Sequence, residues 1–168
     1  MLVFIEHGTR RMHLGGVTAS PTGEWTVQQA RNLALALGEG LENMRFLIRD
    51  RGSNFTRSFD AVFQATGTRI LRTAVQAPRM NATCERLVGT LRREILDRML
   101  IVSAAHLRAV LAEYQVHYNM ARPHQGIDQR VPGCEREFPR VTAANLDVQR
   151  IRRRPVLNGL INEYSRAA

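Results

Sequence analysis

The run Phe46-Leu47-Ile48 is apolar at every position and breaks off at Arg49-Asp50-Arg51-Gly52. A strand with one face in water alternates apolar and polar residues, whereas a short unbroken run suits a strand covered on both faces. Its surroundings supply the rest of such a layout. Leu2 to Ile5 is apolar and rich in strand formers, Gly8-Thr9 turns the chain, and Met12 to Val17 resumes an extended pattern, so a β-hairpin is predicted. Ser20-Pro21-Thr22-Gly23 is turn chemistry, with Thr26 placed to cap the helix that follows. Val27, Ala30, Leu33, Ala34 and Leu37 recur there at helical spacing until Gly38 and Gly40 end it. Phe55, Phe59, Val62 and Phe63 mark a second helix closed by Gly67, and Ile70-Leu71 with Thr73 and Val75 a further strand. The order ββ-α-β-α-β is an α/β layout. Trp25, Phe46, Phe59 and Phe63 are its expected core aromatics.

Beyond Pro78 the pattern is helical. Asn81 to about Leu100 carries Leu87, Leu91, Ile95 and Met99 four residues apart. Ser103 caps a second helix bearing Leu107, Val110, Leu111, Tyr114 and Tyr118, which stops before Pro123. From Asp128 the chain reads as loop, through Pro132, Gly133 and Pro139, to the basic run Arg150 to Arg154 and a closing strand between Pro155 and Tyr164. Two parts follow: a core over 1–127 and a basic C-terminal extension over 128–168. A chain of 168 residues that is 44% hydrophobic has enough apolar surface for a core, which argues against wholesale disorder.

Composition narrows the function classes. No apolar run approaches the roughly 20 residues of a membrane span, and Met1 to Ile5 is too short for a signal peptide, so a cytoplasmic protein without a membrane partner is expected. Cys84 and Cys134 have neither C-x-x-C nor zinc-ligand spacing. A net charge of +9 favours a polyanionic partner. All 24 basic residues are Arg, however, which a GC-rich genome produces as readily as selection for phosphate binding.

Two carboxylates stand out. Asp50 ends the apolar strand, where α/β sheets place ligand-binding groups, and Arg51-Gly52-Ser53 forms a turn that leaves it exposed. Its plain alternative is an ordinary turn or capping Asp. Glu85 lies in the first turns of the long helix, one turn after Asn81, and its plain alternative is a partner for the helix dipole. Brought together from different elements, the two make a hard-oxygen site suited to Mg²⁺ or Mn²⁺. A two-ion site for attack on a phosphodiester, with metals about 4 Å apart, draws on carboxylates from at least three positions. His7, His13, His106 and His117 show no ligand spacing and are assigned no chemistry.

The sequence resembles a known group at four points. Asp50-Arg51-Gly52-Ser53-Asn54-Phe55 resembles the second-aspartate motif of DDE transposases and integrases with a ribonuclease H-like fold, and Asn81-Ala82-Thr83-Cys84-Glu85-Arg86 resembles their N-x-x-x-E motif. The 34 residues between the two acids (85 − 50 − 1) are one fewer than the family's commonest spacing. His117-Tyr118-Asn119-Met120-Ala121-Arg122-Pro123-His124 resembles the Y-N-x-x-R-P-H signature of insertion-sequence transposases and retroviral-like integrases. Glu6-His7-Gly8-Thr9-Arg10-Arg11 resembles the group's hairpin turn. Together these span about three quarters of the chain, Leu2 to Gly126.

The resemblance implies a ribonuclease H-like mixed sheet flanked by helices, followed by two helices and an irregular basic tail. It implies Asp50 and Glu85 as catalytic and metal-binding residues, two Mg²⁺ (or Mn²⁺) ions in the complete family site, and cleavage and joining of double-stranded DNA at transposon ends and target. No covalent protein–DNA intermediate is implied. DNA contacts fall to Asn81, Arg86, Arg92, Arg93, Arg122, His124, Arg152, Arg153 and Arg154, in a homo-oligomer of the bacterial nucleoid. In the family the first catalytic Asp sits on a central strand before the hairpin, and this chain begins at the hairpin. Glu6 matches the second-strand acidic position instead. The first metal-bridging carboxylate and its strand are therefore expected to be missing, through a start placed at an internal Met or a truncated gene. An inactive isolated chain is expected, poorly soluble because two sheet edges lie bare. The alternative is a catalytically dead DNA-binding or assembly remnant; a plain ribonuclease H-like nuclease is disfavoured by the Y-N-x-x-R-P-H segment.

Overall fold

The structure, a computed structural model, describes residues 1–74, 78–133 and 151–166. The expected Val75 end of a strand, Cys134, Pro139 and Arg150 lie outside the described residues. The chain forms two compact units, Met1–Ile5 with His13–Arg108, and Glu6–Met12 with Ala109–Ala168.

The first unit is mixed α and β. Strands β1 (Leu2–Ile5) and β2 (Met12–Gly16) make a two-stranded sheet. Gly15 belongs to its tight face, since a Cβ there would stand 2.9 Å from the Phe4 ring. Helix α1 (Gly23–Leu37) buries Thr26, Val27, Ala30 and Leu33. Its cap is Thr22, not the expected Thr26. Thr22 is extended and its Oγ1 accepts from Trp25 N at 3.1 Å, whereas Thr26 already lies inside the helix, where its hydroxyl donates to Thr22 O at 2.9 Å. A capping residue must be non-helical, and only Thr22 is. Gly38 ends the helix at φ 52°, a left-handed value that Gly adopts without strain.

Strand β3 (Phe46–Arg49) runs parallel to β4 (Arg69–Arg72), with Leu47 opposite Ile70 and Ile48 opposite Leu71. Their crossover is α2 (Arg57–Gln64), capped by Thr56 Oγ1 accepting from Phe59 N at 3.3 Å. Val27, Ala30, Leu33, Leu41, Phe59 and Phe63 form the core, with Phe4, Leu47, Phe55 and Ile70 packed against it. Inclined rings carry part of that packing, Phe55 and Phe59 edge to face at 4.9 Å and Phe59 and Phe63 tilted at 5.2 Å between centroids.

Two details differ from the sequence reading. Phe46 is not core: it is 46% exposed, with the guanidiniums of Arg45 and Arg69 at 5.6 and 5.7 Å from its ring. Leu47 and Ile48 are only partly buried, and the deepest residue of β3 is Arg49. The reason lies in the sheet. Among the described residues β1–β2, β3–β4 and β5–β6 are three separate two-stranded sheets, so β3 is covered on one edge only.

A tight turn, Pro78–Asn81, leads into α3 (Ala82–Leu91), which continues as a π turn over Arg92–Leu96. The stripe Leu87, Leu91 and Ile95 is buried throughout. Residues four apart drift about 40° per step around an α-helix. The wider π turn, closed by Asp97 N to Arg92 O at 2.8 Å, brings Ile95 back onto the buried line. The helical stretch ends at Leu96, short of the predicted Leu100.

Helix α4 (Ala104–Met120) starts as expected, with Ser103 Oγ accepting from His106 N at 3.0 Å. In the second unit it buries Val110, Leu111, Tyr114, His117, Tyr118 and Asn119. There the expected single closing strand is a hairpin, β5 (Ile151–Val156) and β6 (Ile161–Arg166), with Arg154 opposite Glu163 and Val156 opposite Ile161. Asn158-Gly159 supplies its turn, at φ 55° and 91°. Among the described residues no helix is long and apolar enough to cross a membrane.

Candidate active site

Asp50 follows the last residue of β3 and is exposed. Its Oδ1 accepts from Gly52 N at 2.7 Å, and Phe55 N closes the turn on Gly52 O at 3.1 Å. The chain needs Gly at 52 for space: a Cβ would stand 2.9 Å from that same Oδ1. The Asp50 carbonyl is held as well, by Arg49 Nη1 at 2.8 Å. Arg49 in turn grips Asp60 of α2 with one edge of its guanidinium, Nε to Oδ1 at 2.7 Å and Nη2 to Oδ2 at 2.6 Å.

Glu85 is exposed in the first turn of α3, one residue past the half-buried Cys84. The turn that precedes α3 packs against β3, which brings the two acid-bearing segments toward each other. The Cys84 thiol records the result. Its pKa is raised, first by burial, then by the charges of Asp50 and Glu85. Carboxylates far apart in sequence thus act on one sulfur. Among the described residues no group of three or more His, Cys, Asp or Glu is assembled for a metal.

Around Asp50 the surface is cationic. A cleft of about 320 Å³ is lined by Arg49, Arg51, Gly52, Ser53, Phe55, Arg57 and Arg72. Arg51 rests its Nε on Thr73 O at 3.0 Å, and Arg72 reaches Asp60 Oδ2 at 3.5 Å while remaining 58% exposed. None of the cleft arginines was expected from sequence to contact DNA. The signal was there for Arg49 and Asp60: a charge closing an apolar strand must find a counter-charge when buried.

The other expected site residues fall in different places. On α3 and its π turn, Asn81 is partly buried and caps no backbone group with its side chain, Arg86 is exposed, and Arg92 forms an exposed pair with Asp97 at 3.7 Å. Arg93, also exposed, lies over Gly89, its Nη1 3.0 Å from where a Cβ would be.

In the second unit the Y-N-x-x-R-P-H segment is a folded knot. Tyr118 and His124 meet edge to face at 4.3 Å, and the Arg122 guanidinium lies 5.6 Å from the Tyr118 ring centre. His124 is buried, with Nε2 3.2 Å from Tyr118 O and Nδ1 3.3 Å from Arg122 Nη1. Asn119 imitates a strand partner: its Oδ1 accepts from Met12 N at 2.9 Å and its Nδ2 donates to Met12 O at 2.8 Å. Arg152, Arg153 and Arg154 are exposed on β5, and Arg154 Nε pairs with Glu163 Oε2 at 2.9 Å.

Residues 66–132 match the integrase core domain family, a segment that includes Glu85 and the Y-N-x-x-R-P-H knot and begins past Asp50. Over 101 residues the chain is 36% identical to an uncharacterised 39.2 kDa protein of insertion element IS476 from Xanthomonas euvesicatoria, covering 60% of this chain and 27% of that protein. Over 84 residues it is 33% identical to an uncharacterised 31.7 kDa protein of insertion element IS407 from Burkholderia multivorans, covering 49% of this chain and 30% of that one. The matches therefore span less than a third of either relative. The class these likenesses point to is the integrase core, and together they support a catalytic core of the DDE transposase and integrase kind.

Proposed function

We propose that this chain carries part of a polynucleotidyl transferase site that cleaves and joins double-stranded DNA by the DDE mechanism, with Asp50 and Glu85 as its metal-binding carboxylates. What supports the reading is the packing of the turn that leads into the Glu85 helix against β3, the strand that Asp50 follows. The donor set fits one hard divalent cation: two exposed carboxylates, with water and DNA phosphates completing the shell, is how Mg²⁺ is usually held. Asp50 and Glu85 would hold the ion, Asp50 with its carboxylate oriented by the Gly52 N–H. When bound, Mg²⁺ or Mn²⁺ polarises the phosphodiester and makes a water or 3′-hydroxyl more acidic. A second ion requires a further carboxylate.

The chain's own residues do the rest. Arg51, Arg57 and Arg72 line the cleft beside Asp50 and favour phosphate there. Arg86, Arg92 and Arg93 on the Glu85 helix and Asn81 at its start extend the DNA contact of the first unit, and Arg152 to Arg154 on β5 offer the second unit DNA contacts of its own. Arg122 and His124 contribute through the shape of the knot they close. The core is 1–127 and the extension 128–168, working as a homo-oligomer on transposon ends and target DNA in the bacterial nucleoid.

One observation favours a second reading, a DNA-binding or assembly remnant without catalysis: among the described residues no third metal-ligating side chain joins Asp50 and Glu85. Nicking and strand transfer on labelled duplex with Mg²⁺ or Mn²⁺ separate the two. Product formation lost in both Asp50→Asn and Glu85→Gln supports the transferase, and product surviving either substitution overturns it. DNA binding without product in the unsubstituted chain favours the remnant.

A further inference from the structure

Arg49 occupies an unexpected place, as the buried last residue of an otherwise apolar strand, with its side chain 6% exposed. Its partner Asp60 sits in the first turn of α2, with a side chain 7% exposed. Desolvating two charges costs several kcal/mol per ion, and apolar residues of similar volume often serve stability as well or better. Stability alone is thus a poor reason for this pair. Its third bond suggests another. The fork to Asp60 fixes the plane of the guanidinium, and in that plane Nη1 meets the Asp50 carbonyl at 2.8 Å. The Phe55 ring, 5.8 Å away, flanks the group. One rigid side chain so ties helix α2 to the backbone of the residue whose carboxylate the Gly52 N–H orients.

We propose that Arg49 and Asp60 are a positioning pair for Asp50, setting the carboxylate at the end of β3 where a divalent cation can be shared with Glu85. In this role both act through Asp50, Arg49 by its bond to the Asp50 carbonyl and Asp60 by holding Arg49. The proposal rests on the reading of Asp50 as a metal-binding residue. An apolar pair can fill the same volume and cannot hold the Asp50 carbonyl. Lys at 49 keeps the charge but loses the planar fork that aims the third bond.

The test is Mn²⁺ binding to the full chain, followed by the paramagnetic resonance signal of free Mn²⁺, with thermal melting measured on each variant. The double variant Arg49→Met with Asp60→Leu should melt close to or above the unsubstituted chain, yet bind Mn²⁺ about 10–100-fold more weakly, the loss typical when outer groups that orient metal ligands are removed. Arg49→Lys should show the same separation. A double variant that is folded and binds Mn²⁺ normally overturns the positioning role. If that variant fails to fold, Arg49→Lys and Asp60→Asn decide, since a folded form of either with unchanged affinity overturns it equally. Asp50→Asn, measured alongside, separates the two levels. Unchanged affinity there sinks the reading of Asp50 itself, whereas loss there with normal binding in the double variant sinks the positioning role alone.

Discussion

Cys84 is a built-in reporter of the acids beside it. Burial and the charges of Asp50 and Glu85 all disfavour its thiolate, so its pKa is raised. The folded chain therefore holds this proton more tightly than the unfolded chain. The stability it contributes is present below the ordinary thiol pKa and is lost as pH rises through the raised one. Alkylation rate against pH, in a Cys134→Ser background, should show its midpoint move down in Asp50→Asn and in Glu85→Gln; a midpoint that ignores both would break the link between thiol and acids. Gly52→Ala is a second residue-scale case. Its Cβ would stand 2.9 Å from Asp50 Oδ1, so the carboxylate must turn away. Mn²⁺ binding should fall while stability stays within about 1 kcal/mol of the parent, and normal binding would remove the need for Gly there. The places of Asp50, just past β3, and Glu85, in the first turn of α3, were legible in the sequence because each stood at the end or start of a clearly patterned element. Arg49, Asp60 and the cleft arginines were not, because pairing between β3 and α2 depends on which faces meet, and spacing along the chain does not encode that.

At the scale of elements, the β5–β6 hairpin is attached to α4 by polar groups, with Val156 and Leu157 buried beside its turn. Glu163 receives Arg154 Nε at 2.9 Å and lies 2.8 Å from His117 Nδ1, with side-chain exposures of 14% and 11% for Glu163 and His117. Glu113 Oε1 accepts the Leu157 N–H at 2.7 Å, which holds a residue with φ 51° in place. Glu163→Ala should cost about 1–3 kcal/mol, since it strands the buried His117 imidazole, while the exposed Arg154 can turn to water. Urea unfolding checks this, and a loss under about 0.5 kcal/mol would make the contact incidental. Asn119→Ala removes both bonds to Met12 and should cost at least as much. The hairpin was half legible: Asn158-Gly159 is a strong turn signal, yet the apolar residues around it read as one strand. The π turn after α3 had its signal too, in apolar residues four apart where an α-helix prefers alternating threes and fours.

For the molecule as a whole, a charge of +9 makes any DNA affinity a steep function of salt. Arg51→Ala, Arg57→Ala and Arg72→Ala should each flatten that dependence by about one unit in the log–log slope, read by fluorescence anisotropy on duplex DNA. Unchanged slopes would take the cleft out of the DNA path. The α/β order of the first unit was legible from its apolar runs. Its division into two-stranded sheets was not, because pairing partners follow from which edges find one another in space. The most direct test of the two-carboxylate site is Mn²⁺ affinity of the unsubstituted chain against Asp50→Asn and Glu85→Gln. We expect each substitution alone to weaken binding about tenfold or more, in line with the loss when a metal's supporting groups are removed. Equal affinity in all three would mean that Asp50 and Glu85 are neighbours without a shared ion.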